Sequence, residues 1–174
     1  MKRVLMMIGC LGLSFSTVAT ELAAVASDSD DDDLKPLVVR ILKVESSLVG
    51  EVRHWSLSCE ASNPNKTPLM FVGYRADSFD PKIEDGRISP IYVLQHQQGP
   101  DGKWKDQPLG WCGTGIDGIV LKPGSRPTFS VLIRADATQT AVRVGIRWSK
   151  PVKFDEAPAG AFKIGWSNSF ELGK

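Results

Sequence analysis

From Leu37 onward the apolar positions of this chain recur every second residue, and short β-branched and aromatic runs are separated by clusters of Gly, Pro, Asn and Asp. Period two sends alternate side chains to opposite faces of an extended strand, so the pattern predicts an all-β domain. Residues 37–44 read as a first strand. Trp55, Leu57, Cys59 and Ala61 alternate with Ser56, Ser58 and Glu60, which gives a second strand with one buried face. Asn63, Pro64, Asn65 and Lys66 form a turn into a third strand, 69–74. Residues 91–97 and 103–105 make a hairpin around Gly99, Pro100, Asp101 and Gly102, with Trp104 packing across it. Residues 119–121 lead through Pro123 and Gly124, a pair suited to a type II turn, into a strand at 128–133. Val142, Val144, Ile146 and Trp148 alternate with Arg143, Gly145 and Arg147, and a last strand spans 162–170. About seven to nine short strands of this kind favour two packed antiparallel sheets, an immunoglobulin-like β-sandwich; a small closed β-barrel is the alternative.

The N-terminus breaks the pattern. Lys2 and Arg3 precede an uncharged apolar or small stretch, 4–19, and Ala24, Val25, Ala26 and Ser27 offer small residues at the spacing signal peptidase requires. Residues 1–26 are therefore predicted to be a cleavable signal peptide, and the protein to be exported to the periplasm or beyond the cell. An uncleaved anchor is one alternative. Lipidation of Cys10 is another, because Met7, Ile8, Gly9 and Cys10 loosely match a bacterial lipobox. Asp28, Asp30, Asp31, Asp32 and Asp33 then repel one another and bury nothing, so residues 27–35 are predicted to be an acidic disordered spacer before a single domain, 36–174. No Gly at the turn position and no Glu at the twelfth position make this run an EF-hand calcium loop.

Composition narrows the partners. Lys and Arg number 21 against 20 Asp and Glu, a formal net charge of +1, far from the basic excess that binding to a phosphate backbone requires. Nucleic acid is thus excluded as an expected partner. After the leader no stretch approaches the roughly 20 apolar residues that cross a bilayer, so the mature chain is not expected to span a membrane.

Removal of the leader reduces three cysteines to two, Cys59 and Cys112, and an oxidising compartment makes a bridge between them the expectation. Closing a loop of about 54 residues would stabilise the fold by roughly 4 kcal/mol. Two unpaired thiols are the alternative. A catalytic thiol needs a neighbouring base, and only His54 and His96 exist to supply one; either could meet Cys112 only through the tertiary fold. No His, Cys, Asp and Glu group falls at metal-ligand spacing, so neither metal nor cofactor is expected. The string Trp111, Cys112, Gly113, Thr114 and Gly115 lacks the order of a phosphate loop and reads as a tight loop.

Five tryptophans suggest recognition, because aromatic faces stack on sugar rings while polar neighbours bind hydroxyls. Trp55 and Trp148 fall on inward faces. Trp104 and Trp111, with Asp101, Asp106 and Gln107, form the candidate recognition surface.

The run 57–79, with Ser62, Asn63 and Pro64 after a strand, resembles the opening of many bacterial immunoglobulin-like extracellular domains, and Leu121, Lys122, Pro123 and Gly124 followed by Phe129 and Val131 resemble a late turn of the same group. The order Asn63, Pro64, Tyr74, Asp77, Phe79 and Pro123-Gly124 also resembles a bacterial proteinase-inhibitor family of that shape, but the chain departs from it where a Trp-rich middle stretch would stand. The broad likeness is to small secreted bacterial proteins without an assigned activity. It implies a fold and no active-site residue. The expectation is a non-enzymatic binding or scaffolding module for a protein or glycan of the cell envelope. Inhibition of an exported protease, or hydrolysis by Cys112 with a histidine, are the alternatives.

Overall fold

A computed structural model of the chain describes residues 34–98, 102–134, 139–158 and 160–172. The predicted leader, Cys10, Asp28 to Asp33 and Asp101 lie outside the described residues. The alternating second strand does what its pattern dictates: β2 (Val52–Ser62) pairs with β1 (Val38–Val49) across a turn at Gly50, whose φ of 62° suits glycine. On its other edge β2 pairs with β8 (Thr128–Arg134), completing a three-stranded antiparallel sheet. Trp55, Leu57, Cys59 and Ala61 point inward beside Phe129, Val131 and Ile133, while Ser56, Ser58 and Glu60 face out.

The larger sheet is organised by β9 (Gln139–Ser149). Ile146 pairs with both Tyr92 and Gly165, and Trp148 with both Phe71 and Lys163. Since a strand has two edges, β3 (Leu69–Tyr74) and β5 (Tyr92–Gln98) follow one edge of β9, and β10 (Lys163–Trp166) with β11 (Phe170–Glu171) follow the other. The short β4 (Ser89–Pro90) and β7 (Ile116–Leu121) flank β3, and β6 (Trp104–Gln107) flanks β5. Among the described residues there are thus sheets of three and eight antiparallel strands with separate edges, an all-β sandwich and not a closed barrel. Phe71, Leu57, Leu69, Leu94, Ile133 and Ile146 are fully buried between them. Each such side chain stabilises the fold by roughly 1.5–3 kcal/mol through removal from water.

Two expectations about strand ends are corrected. The first strand continues to Val49, where Ser46, Ser47, Leu48 and Val49 are exposed and the hairpin ladder, not burial, sets the conformation. The last strand is broken at Ser167: its Oγ accepts from the Val144 N–H at 3.0 Å in place of a backbone carbonyl, and the Asn168 side-chain oxygen accepts from Ile41 N–H at 2.9 Å. The Ser167 hydroxyl there replaces one ladder bond while its N–H still donates to the Val144 carbonyl, Asn168 ties the segment to β1, and β10 ends before β11 begins.

The turn at Asn63 shows how the ends of the sheets are joined. Asn63 is 1% exposed, and its Nδ2 donates to the Thr67 and Leu121 carbonyls at 2.9 and 3.0 Å. Its Oδ1 accepts from the backbone and side chain of Asn65, so a buried amide is left with no unmet group. Gly124 N–H donates to the Asn63 carbonyl, and Asn65 bonds both backbone polar groups of Lys35. Segments 34–36, 63–67 and 122–126 therefore converge on one end of the sandwich.

Candidate functional site

Register decides which side chains share the solvent-facing side of the large sheet. Leu94 and His96 of β5 and Val142, Val144 and Ile146 of β9 are buried, so Val93, Gln95 and Gln97, with Arg143 and Gly145, face outward. Asp106 lies opposite Gln95 and Trp104 opposite Gln97; Trp166 lies opposite Gly145. Positions on four strands, β5, β6, β9 and β10, are thus brought to one face around Arg143.

The Arg143 guanidinium carbon stands 4.5 Å from the ring centroid of Trp104 and 4.5 Å from that of Trp166. The cation is held between two indoles by attraction to their electron-rich faces, an effect worth about 0.5–2 kcal/mol per pair according to desolvation. Its Nε and Nη2 donate to Gln95 Oε1, the former at 2.8 Å, and Gln95 Nε2 donates to Asp106 Oδ1 at 2.7 Å. Desolvation by this packing draws the Arg143 pKa down, with Asp106 opposing the shift. Gly145 makes room for Trp166: a Cβ there would lie 2.7 Å from Ile164 Cγ2 and 2.8 Å from the indole. The result is a half-buried aromatic and cationic surface with amide and carboxylate groups along one side.

The loop between β6 and β7 is a separate construction. Trp111 meets Tyr92 edge-on with centroids 4.7 Å apart, and Tyr74 donates its hydroxyl to the Cys112 carbonyl at 2.6 Å. Gly115, at φ 82°, lies so near Ser78 that an added Cβ would stand 2.9 Å from its Oγ. The Cys112 thiol is exposed, and hydrogen bonds from the Thr114 backbone and then its side chain draw its pKa below the usual thiol range. Cys59 is the opposite case: fully buried on the inner face of β2, its thiol is pushed up to about 12 by desolvation.

The predicted bridge is therefore corrected. Cys59 and Cys112 are both free. Alternation fixes Cys59 beneath the small sheet between Leu57 and Ala61, while Tyr74 and Tyr92 hold the Cys112 loop in place with its thiol in solvent. Neither histidine is hydrogen-bonded to Cys112 among the described residues. His54 pairs with Ser47 and Arg134 on the outer side of the small sheet, and His96 is 8% exposed on the inner face of β5 with Nδ1 unpartnered.

The predicted recognition residues divide. Trp104 and Asp106 stand on the outer face with Arg143, whereas Gln107 lies on the other side of β6, its Oε1 buried without a partner. Trp111 packs on Tyr92, which points toward the core, so it does not join Trp104. Trp166, Arg143 and Gln95 were not singled out by sequence. The outward alternation of Arg143 and Gly145 was visible, but only the β9–β10 register brings Trp166 to them. Among the described residues no group of three or more His, Cys, Asp and Glu could hold a metal ion, and no helix is long and apolar enough to cross a membrane.

No protein-family model matches the chain, and no curated protein matches it. Among solved structures it is similar to an X-ray structure of a Northeast Structural Genomics Consortium target, at 8% identity and a TM-score of 0.42, over 80% of this chain and 86% of that one.

Proposed function

We propose that the domain is a non-enzymatic recognition module of an exported protein and that the Trp104–Arg143–Trp166 face of the large sheet is its contact surface for a glycan of the cell envelope. The observation that carries this reading is the placement of two tryptophans, one arginine and a Gln95–Asp106 pair on the same solvent-facing side. Such a surface offers indole area for the apolar side of a sugar ring, and amide and carboxylate groups for its hydroxyls. A rigid sheet holds these groups before binding, so little ordering is needed at the moment of contact.

The test is a glycan array run with the native protein and the Trp104→Ala, Trp166→Ala and Trp111→Ala variants. Binding that disappears in the first two and persists in the third supports the outer face. Native binding that survives both substitutions removes that face from consideration. Absence of binding to every glycan by the native protein would overturn the choice of ligand.

A further inference from the structure

The β1–β2 hairpin reaches past the third strand of its sheet. The β2–β8 ladder ends at the His54–Arg134 pair, so beyond it Leu48, Val49, Val52 and Arg53 have only one another as ladder partners. Leu48 and Val49 are 68% and 63% exposed. The free edge of β1 is protected along one half only. There the Ile41 N–H is capped by the Asn168 side chain, and a β-bulge between Ile41 and Lys43, followed by the Lys43 ammonium, blunts the edge in the way sheet proteins commonly do. From Val44 to Leu48 there is no proline, no bulge and no lysine, and among the described residues β2 is the only strand that pairs with β1.

Hairpin geometry determines which backbone groups of this stretch are free. Val49 and Val52 close a two-residue turn, and in such a hairpin the closing pair exchanges both backbone bonds. Bonded pairs then alternate, at Ser47–His54 and Glu45–Ser56, so the N–H and C=O groups of Val44, Ser46 and Leu48 point away from β2.

We infer that this edge pairs antiparallel with the same edge of a second copy of the chain, about a two-fold axis at Ser46. In that register Val44 falls opposite the partner's Leu48, Ser46 opposite the partner's Ser46, and Leu48 opposite the partner's Val44. Every free position is used, and apolar meets apolar on one face. On the other face Lys43 falls opposite the partner's Val49 and Glu45 opposite the partner's Ser47, with no like charges directly opposed. The partner's chain turns back at its Gly50 before it reaches Ile41, the position that Asn168 occupies. Centring the pair on Glu45 opposes two carboxylates, and centring it on Val44 drives the partner's hairpin end against Asn168. The edge is thus complementary to itself in one register. A two-fold contact is closed, so it stops at two copies and joins two three-stranded sheets into one. The overlap is short and gives a weak, concentration-dependent dimer. It uses no residue of the Trp104–Arg143–Trp166 face.

The experiment is sedimentation equilibrium of the full chain over a range of concentrations, with the native protein and three variants. A monomer–dimer equilibrium is expected. Ser46→Pro removes an outward N–H that β2 does not use, so the hairpin ladder persists while the dimer disappears. Leu48→Lys weakens the dimer about tenfold by removing an apolar pair at each end of the overlap. Leu132→Lys, an exposed leucine on the opposite edge strand, stays within twofold of native. Circular dichroism at a concentration where the native protein is monomeric checks each fold, and Leu48→Lys carries the comparison if Ser46→Pro unfolds. In a Cys10→Ser and Cys112→Ser background, mild oxidation should cross-link Ser46→Cys to its own copy, because directly opposed bonded residues have Cα atoms about 5.5 Å apart. It should not cross-link Val49→Cys, which faces Lys43. A native protein that stays monomeric throughout, a dimer untouched by Leu48→Lys, or cross-linking of Val49→Cys in preference to Ser46→Cys would overturn the proposal.

Discussion

The two outer faces of the sandwich obey the same alternation and differ in what they carry. On the small sheet, Ser56, Ser58 and Glu60 of β2 and Ser130 of β8 face solvent, and Leu132 stands among them 64% exposed. On the large sheet the corresponding positions hold Trp104, Trp166, Arg143 and Gln95, locked by ring contacts and hydrogen bonds. Solvent-facing strand positions need only be compatible with water, and the small sheet meets that condition with serines, the charged Glu60 and Arg134, His54 and one exposed leucine. The large sheet goes further: it orders long side chains, at an entropic cost of about 1–2 kcal/mol each. Stacking and hydrogen bonding offset this cost, and the ordered surface is then available for recognition.

The sharpest way to break the contrast is to add a side chain under Trp166. Gly145→Val should displace the indole and Ile164 and destabilise the fold by about 1–3 kcal/mol, whereas Ser58→Val on the other outer face should change stability by less than about 0.5 kcal/mol. Urea denaturation of both variants checks the difference. Next in size is Arg143→Met, expected to cost about 1–2 kcal/mol as two cation–indole contacts and the Gln95 bonds are lost. Tryptophan fluorescence should shift to the red as Trp104 and Trp166 loosen, and Arg143→Lys should restore only part of the stability because the fork to Gln95 is gone.

Cysteine chemistry gives a smaller and pH-dependent contrast between the sheets. Cys112 should react with a thiol reagent in the native protein, and at a lower pH than an ordinary thiol, while Cys59 should react only after unfolding. Cys59 is raised in the folded state, so its contribution is fully present below the unfolded thiol value and is lost as pH climbs from about 8.5 toward about 12. Cys59→Ala should flatten that alkaline loss in a pH series of denaturation curves. The smallest effect belongs to Lys43→Ala: its 2.6 Å pair with Glu45 is exposed, and the change in urea midpoint should correspond to less than about 0.5 kcal/mol.

Much of the fold was legible because alternation is local. Leu57, Cys59 and Phe129 announce their burial within a few residues of their own sequence, and Asn63-Pro64 and Pro123-Gly124 announce turns by backbone chemistry. The strand break at Ser167 was not legible, since it depends on which backbone groups of β1 and β9 its neighbourhood meets. The candidate surface was half legible for the same reason. Trp104 and Asp106 are near each other in sequence, but Gln95, Arg143 and Trp166 join them only through pairing between strands remote along the chain. The even cysteine count suggested a bridge, yet evenness says nothing about distance, and the two thiols lie on opposite sides of the core and solvent boundary.

The most direct test of the outer-face reading uses the five tryptophans as reporters in one experiment. Nuclear magnetic resonance of the indole N–H groups, recorded while a glycan that the protein retains on the array is added, should show the Trp104 and Trp166 signals moving and those of the buried Trp55 and Trp148 staying fixed. Movement of Trp111 alone, or no movement of Trp104 and Trp166 at saturation, would contradict it.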